Sequence, residues 1–104
     1  MALLLVAGCS VESRKASHTR RAEEYLAEGR LDRAEIEYLN VLRLDPKAGD
    51  PLGKLGLIYF EQGQLGRALP YLARAIEING KDLTSRAKLA SLLLSVGNRT
   101  QAAT

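Results

Sequence analysis

Residues 50–63, with the sequence DPLGKLGLIYFEQG, decide how this chain folds. Their apolar side chains recur at helical spacing. Asp50 can cap a helix that has Pro51 in its first position, where the missing proline N–H removes no hydrogen bond. Gly63 can adopt the left-handed backbone that commonly ends a helix. We therefore expect a helix from Pro51 to Gln62.

Features of this stretch recur along the chain with a period of 34 residues. Three glycines and two sets of small residues have this spacing: Gly29, Gly63 and Gly97; Ala22, Gly56 and Ala90; Ala34, Ala68 and Ala102. A period of about 34 residues is typical of helix–turn–helix repeats that stack on one another. Two antiparallel helices pack closely where a side chain at their crossing is small, so we expect contacts such as Gly56 against Ala68 and Ala90 against Ala102.

The remaining helices follow from the same register. We expect helices at Arg20–Glu28, at Asp32–Leu44 before Asp45-Pro46, at Gly66–Asn79, and at Leu83–Val96 with Asp82 as its cap. Leu69 and Ile76 are expected in the apolar stripe of the Gly66–Asn79 helix. The sequence therefore predicts an all-α fold, an α-solenoid of antiparallel hairpins with about two and a half repeats.

The composition argues against several classes of function. The chain has one Cys, one His and a net charge of +3, so an internal disulfide framework and a His-based metal cage are excluded. The glycines end helices and do not form a phosphate-binding loop. We expect no enzyme activity, no catalytic residues and no cofactor. Arg14, Lys15, Arg20 and Arg21 cluster without stacking aromatic residues, so an RNA-binding helical repeat is the weaker alternative.

The joint register of these residues resembles the tetratricopeptide repeat family. The second repeat carries Leu55, Gly56, Tyr59, Gly63, Ala68, Leu72 and Ala75 where the family pattern has them; the first carries Ala22, Tyr25, Gly29, Ala34, Tyr38 and Pro46. The chain departs from the pattern at Arg21, where Leu is usual, at Val41, where Ala is usual, and at Gly80, where Pro is usual. Pro70 also lies inside a predicted helix. The Arg21 departure indicates a solvated edge on the first repeat.

This resemblance implies a concave groove that binds another protein or a peptide segment of it. Its expected lining is Thr19, Glu23 and Leu26, then Gly53, Leu57 and Phe60, then Ala87, Ser91 and Leu94. The apolar centre at Leu57 and Phe60 suits an apolar or amphipathic segment, although both residues could instead pack against the next hairpin. Glu23 would repel a carboxylate, so we do not expect the two-carboxylate clamp of chaperone-binding relatives.

Three cations also recur at the repeat spacing. Arg20, Lys54 and Lys88 could form a basic ladder for an acidic C-terminus. Long cations that cover the helix surface are the ordinary interpretation of such residues.

The first residues differ from the rest of the chain. Val6-Ala7-Gly8-Cys9 resembles the lipobox of bacterial lipoproteins, which implies lipid attachment at Cys9 and stable membrane anchoring. Nothing basic precedes Leu3, so we expect that the native start lies upstream. The resemblance to Gram-negative lipoproteins also implies the outer membrane, because Ser10 follows the cysteine where Asp would favour retention in the inner membrane. The alternative is a chance cysteine in a soluble cytoplasmic adaptor.

We therefore divide the chain into a truncated lipoprotein signal at 1–9, a tether at 10–14, repeats at 15–48 and 49–82, and a partial third repeat at 83–104. The opening residues and Tyr25-Leu26-Ala27-Glu28-Gly29 resemble bacterial lipoproteins of exopolysaccharide or PEP-CTERM sorting systems, or of type IV pilus assembly. We expect the array to continue beyond Thr104. Otherwise its uncapped last hairpin would dock on a partner or associate with a second copy.

Overall fold

A computed structural model of the chain describes the backbone of residues 2–81 and 83–103 and the side chains of residues 10–81 and 83–94. The regular structure of this described part is entirely helical. Five helices follow in chain order: α1 (Ala2–Ala27), α2 (Leu31–Leu44), α3 (Gly49–Glu61), α4 (Leu65–Ile78) and α5 (Leu83–Ala103). The predicted all-α fold of helical repeats is confirmed.

The chain divides into two compact units, and the first, Met1–Pro51, holds the hairpin of α1 and α2. Ala22 and Ala34 are fully buried, as the close crossing of two helices requires. The Lys15 ammonium donates a 3.1 Å hydrogen bond to Oδ2 of Asp45, the residue that caps the C-terminus of α2. This ion pair joins α1 to the end of its partner helix.

The second unit, Leu52–Thr104, holds α4, α5 and most of α3. A Cβ placed on Gly56 would lie 2.5 Å from Cδ2 of Leu72, so α3 packs directly against α4 at this glycine. Among the side chains that the structure describes, the core of this unit combines aliphatic residues with the Tyr59 ring and the buried Ser85. Its fully or almost fully buried residues include Leu55, Ile58, Tyr59, Ala68, Leu72, Ala75 and Leu92.

Two turns show the repeat most directly. Gly29 and Gly63 both have positive φ, at 77° and 76°. The amide of the residue after each glycine donates a 2.8 Å bond to the carbonyl of the repeat tyrosine, Arg30 to Tyr25 and Gln64 to Tyr59. Each of these bonds joins residue i to residue i−5, the arrangement that ends a helix and favours glycine. The prediction that both glycines end helices is confirmed.

Two predicted helix starts are wrong. The helix expected from Arg20 begins at Ala2, so residues 10–14 are helical. Helix α1 contains no proline that would break it. Asp50 lies inside the first turn of α3, which begins at Gly49, and therefore does not precede the helix as its cap. Its carboxylate still lies near the positive end of the helix dipole.

The expected turn at Gly97 is also absent, because α5 runs without interruption from Leu83 to Ala103. A glycine inside a helix costs only about 1 kcal/mol, so a helix can continue through it. The predicted crossing of Ala90 with Ala102 is therefore wrong, and Ala90 is exposed. The proposed cap Asp82 and the side chain of Val96 lie outside the described residues.

Helix α4 accommodates the interior proline that the sequence shows. Pro70 and its neighbour Leu69 are exposed, with Leu69 at 40% of its full accessibility, so Leu69 does not share the buried face of the apolar stripe in which it was predicted. The buried stripe of this helix consists of Ala68, Leu72 and Ala75. The proline thus lies on the side of the helix that faces solvent, where its ring meets the least crowding.

Candidate partner-binding surfaces

Helices α3 and α5 meet at an aromatic ring and a cation. The Lys88 ammonium lies 4.9 Å from the centre of the Phe60 ring and 3.9 Å from Oε1 of Glu61. Phe60 is half-buried, as is Leu57 one turn earlier in α3. A cation over an exposed aromatic face contributes about 0.5–1 kcal/mol, so Lys88 both covers the ring and keeps its charge in contact with solvent.

The predicted groove positions on α5 extend this surface. Ser91 is exposed, and Leu94 retains 69% of its accessibility. Successive positions three residues apart are neighbours on a helix, so these side chains continue from Lys88 along α5. We refer to Leu57, Phe60, Lys88, Ser91 and Leu94 as the α3–α5 surface.

The two other predicted lining positions in this unit, Gly53 and Ala87, differ in how much of their surface is exposed. Gly53 is buried, so it offers no surface to a partner. Ala87 is exposed and has only a methyl group to present. The contact area of the α3–α5 surface therefore comes from the larger residues that define it.

The predicted groove residues of the first unit are exposed to different degrees. The Thr19 hydroxyl donates a 2.8 Å bond to the Lys15 carbonyl within its own helix. Glu23 is exposed and Leu26 is half-buried. Both side chains are accessible to a ligand, and the expectation that one groove includes residues of both units stays a prediction.

The three predicted ladder cations have different local partners. Arg20 is exposed and lies 3.9 Å from Glu24 one turn along α1. Lys88 contacts Phe60 and Glu61 as described, and Lys54 is half-buried. The basic ladder stays a prediction. Cys9, the predicted lipid site, has its side chain outside the described residues.

A buried carboxylate in the first unit was missed from the sequence. Glu37 retains 8% of its accessibility. Its Oε1 lies 3.2 Å from Nδ1 of His18 and accepts a 3.1 Å bond from the Asn40 amide, and its Oε2 lies 3.7 Å from Nη1 of Arg21. A signal was present, because the charged residues Arg21 and Glu37 both stand one repeat before uncharged residues, Leu55 and Tyr71.

This carboxylate lines an open cleft between α1 and α2. The cleft has a volume of about 350 Å³ and is lined by Arg21, Tyr25, Arg33, Ile36 and Glu37. We call these five residues the first-hairpin cleft. It lies apart from the predicted groove positions Thr19, Glu23 and Leu26, none of which lines it.

The Tyr38 hydroxyl, unlike the Glu37 carboxylate, is buried without a hydrogen-bond partner among the described residues. Tyr38 is fully buried, and its hydroxyl is unsatisfied there. Burial raises the pKa of this phenol to about 12, and the negative charges of Asp50 and Glu23 add to the shift. The tyrosine therefore stays neutral throughout the physiological pH range.

Comparison with known proteins identifies a repeat family. The tetratricopeptide repeat model matches residues 16–48 and 50–82. Each matched segment contains one of the positive-φ glycine turns. None of the curated proteins compared with the chain matches it. Among the side chains that the structure describes, no three His, Cys, Asp or Glu residues are grouped as metal ligands.

Proposed function

Because the chain belongs to the tetratricopeptide repeat family, whose repeats generally mediate protein–protein interactions, we propose that it is a non-catalytic scaffold that binds a segment of a partner protein. The observation that carries this proposal is the α3–α5 surface, where an exposed leucine, Leu94, accompanies a half-buried phenylalanine and a lysine. Exposed apolar side chains next to a charge are a common basis of peptide recognition.

The chemistry of this surface favours an amphipathic segment. Leu57, Phe60 and Leu94 offer apolar area, while Lys88 and Ser91 offer hydrogen-bond donors at its edge. An apolar side chain of the partner would gain by leaving water. A carboxylate or carbonyl oxygen of the partner would accept from Lys88 in competition with the 3.9 Å contact to Glu61.

Affinity capture with surface variants tests this proposal. Leu94→Ser removes an exposed apolar side chain, and Ile78→Ser makes the same type of change on α4, where Ile78 is 44% exposed. We expect a partner retained by the wild type and by Ile78→Ser but lost with Leu94→Ser. Equal retention by all three proteins would remove the α3–α5 surface from the proposal.

We further propose that Cys9 carries lipid and anchors the scaffold in a bacterial cell envelope, with the outer membrane as its site. The lipobox-like Val6-Ala7-Gly8-Cys9 supports this assignment, and two or more acyl chains give stable attachment. None of the described helices is long and apolar enough to span a bilayer. The systems that its resemblance suggests are exopolysaccharide or PEP-CTERM sorting and, as a second choice, pilus assembly.

Metabolic labelling tests the anchor separately from the binding surface. The full-length gene product is labelled with a palmitate analogue and compared with Cys9→Ser. Label that requires Cys9, together with recovery in the membrane fraction, supports the envelope scaffold. Unlabelled protein in the soluble fraction would favour the alternative of a cytoplasmic adaptor.

Self-association is a further part of the proposal. Leu93 and Leu94 of α5 are 56% and 69% exposed, and two adjacent exposed leucines can pair with a second copy. Sedimentation at increasing protein concentration tests this. A monomer at all concentrations would contradict it.

A further inference from the structure

The α1–α2 hairpin and the α3–α4 hairpin share the 34-residue register but differ at the residues that form the first-hairpin cleft. The five residues of the first-hairpin cleft correspond, one repeat later, to Leu55, Tyr59, Arg67, Pro70 and Tyr71. In the second hairpin Leu55 and Tyr59 are fully buried, and the ring centres of Tyr59 and Tyr71 lie 5.4 Å apart. In the first hairpin a carboxylate replaces the second tyrosine, and the repeat tyrosine Tyr25 stays partly accessible.

The negative charge inside this cleft already has partners. Both oxygens of Glu37 are occupied, one by His18 and Asn40 at 3.2 and 3.1 Å and the other by Arg21 at 3.7 Å. Hydrogen bonds of this kind stabilise a carboxylate that is largely removed from water. Glu37 is therefore a fixed part of the cleft wall, and an incoming cation would have to compete with three existing contacts.

The two guanidinium groups remain available at the cleft. Arg33 is exposed, forms no ion pair within the part of the chain that the structure describes, and lies 6.0 Å from the centre of the Tyr25 ring. Arg21 is half-exposed and makes one long contact with Glu37. A guanidinium carries five N–H donors and matches the geometry of a carboxylate, so both groups have donors to offer.

An apolar side chain lines the same cleft. Ile36 of α2 keeps 59% of its accessibility although it lines the cleft between α1 and α2. Together with the partly accessible Tyr25 ring, it gives an apolar contact next to two cations.

We propose that the first-hairpin cleft is a second docking site, which binds an acidic segment of a partner protein with an apolar side chain next to its carboxylates. Arg21 and Arg33 pair with the carboxylates, and Tyr25 and Ile36 contact the apolar side chain. This site uses residues outside the predicted groove and outside the α3–α5 surface, and it therefore goes beyond the function proposed above.

Fluorescence anisotropy with a labelled, end-capped peptide, Glu-Glu-Phe-Glu-Glu, tests the site in the full chain. The measurement is made at low ionic strength, where charge screening is weak. We expect Arg33→Gln to weaken binding about three- to fivefold, the size of one exposed charge pair, and Ile36→Ser to weaken it by a similar factor. Arg74→Gln removes an exposed arginine of α4 and serves as the matched control, with unchanged affinity.

Further arms separate this proposal from the others. Replacing the peptide's phenylalanine with serine, or its glutamates with lysines, should weaken binding. No binding to the wild type, or equal binding to Arg33→Gln, overturns the proposal. Loss of binding with Leu94→Ser but not with Arg33→Gln assigns the peptide to the α3–α5 surface and overturns it while the proposed function stands. Displacement of the peptide by an equal concentration of single-stranded oligonucleotide would identify a nucleic-acid site and also overturn it.

Discussion

Gly56 of α3 lies so close to Leu72 of α4 that an added Cβ would be 2.5 Å from Cδ2, 2.6 Å from Cγ and 3.2 Å from the backbone nitrogen of that leucine. Leu72 is fully buried and cannot move aside into solvent. The second hairpin therefore depends on the absence of a side chain at position 56.

Gly56→Ala should lower the stability of the chain. Alanine improves helix propensity by about 1 kcal/mol, but overpacking a closed core costs about 1–3 kcal/mol. The two effects together give an expected net loss of up to about 2 kcal/mol, measured by urea unfolding. Gly66→Ala in α4 is the control, because nothing lies within 4 Å of its added Cβ; it should be neutral or stabilising. A stabilised Gly56→Ala variant would contradict the packing described.

Replacing Glu37 should destabilise the first hairpin. Glu37→Ala leaves His18 and Asn40 without their shared acceptor, and such a loss costs about 1–3 kcal/mol. Glu24→Ala removes an exposed carboxylate of α1 whose pair with Arg20 is 3.9 Å long, and surface changes of this kind stay within about 0.5 kcal/mol. Chemical unfolding of both variants gives the comparison. Equal effects would show that the Glu37 contacts add nothing.

The ion pair between Lys15 and Asp45 should make stability depend on acid pH. The hydrogen bond from Lys15 lowers the pKa of Asp45, and the same bond raises the pKa of Lys15. A lowered folded-state pKa means that the contribution is complete above the unfolded pKa of about 4 and is lost as pH falls through the folded value. The raised pKa of Lys15 has its effect only above its unfolded value of 10.5, where the contribution falls as pH rises through the folded pKa.

Thermal melts of wild type and Asp45→Asn between neutral and strongly acid pH test this linkage. We expect the difference in Tm to be largest near neutrality and to shrink as the pH falls below about 4. Lys15→Gln should show the same convergence with the wild type. A Tm difference between wild type and Asp45→Asn that grows as the pH falls would contradict a lowered pKa of Asp45 in the folded chain.

Tyr38→Phe should be neutral or stabilising. The phenol hydroxyl is buried without a partner among the described residues, and removing an unsatisfied buried hydroxyl recovers up to about 1–3 kcal/mol of desolvation cost. Urea unfolding at neutral pH measures the change. A loss above about 1 kcal/mol would mean that the hydroxyl forms a hydrogen bond in the folded chain.

The raised pKa of Tyr38 should make the folded chain less stable at alkaline pH. Its folded pKa of about 12 lies above the ordinary value of 10.0. The contribution of Tyr38 is therefore complete below pH 10.0 and decreases as pH rises from there toward 12. In Tyr38→Phe this part of the alkaline decline should be absent. An unchanged decline would assign it to other groups.

The hairpins could be predicted from sequence because local chemistry and register agree in them. Gly29 and Gly63 have a positive φ at the turns. Ala22, Ala34 and Gly56 are small residues where helices cross, and a helical hairpin accounts for both sets of residues. Helix starts were less secure. Residues 2–19 contain no proline that would end a helix. Asp50 is acceptable both before a helix and in its first turn.

The third repeat and the first-hairpin cleft depend on non-local packing. Gly97 follows the register, but a glycine alone does not force a turn when a helix can continue through it, as α5 does. Glu37 could not be assigned from its own surroundings in sequence, since its partners His18 and Arg21 lie on the other helix. Comparison of each residue with its counterpart one repeat later would have found the cleft.

Site-specific photo-cross-linking tests the central claim, binding of a partner segment at the α3–α5 surface, most directly. A photoreactive residue is placed at Leu94, and separately at Leu69 of α4, in the full-length protein in its host cell. We predict adducts with a defined partner segment from position 94 that are absent from position 69 and are lost when Phe60→Ser is added, with folding checked by circular dichroism. The same adducts from both positions, or adducts that survive in a folded Phe60→Ser protein, would contradict the proposed binding surface.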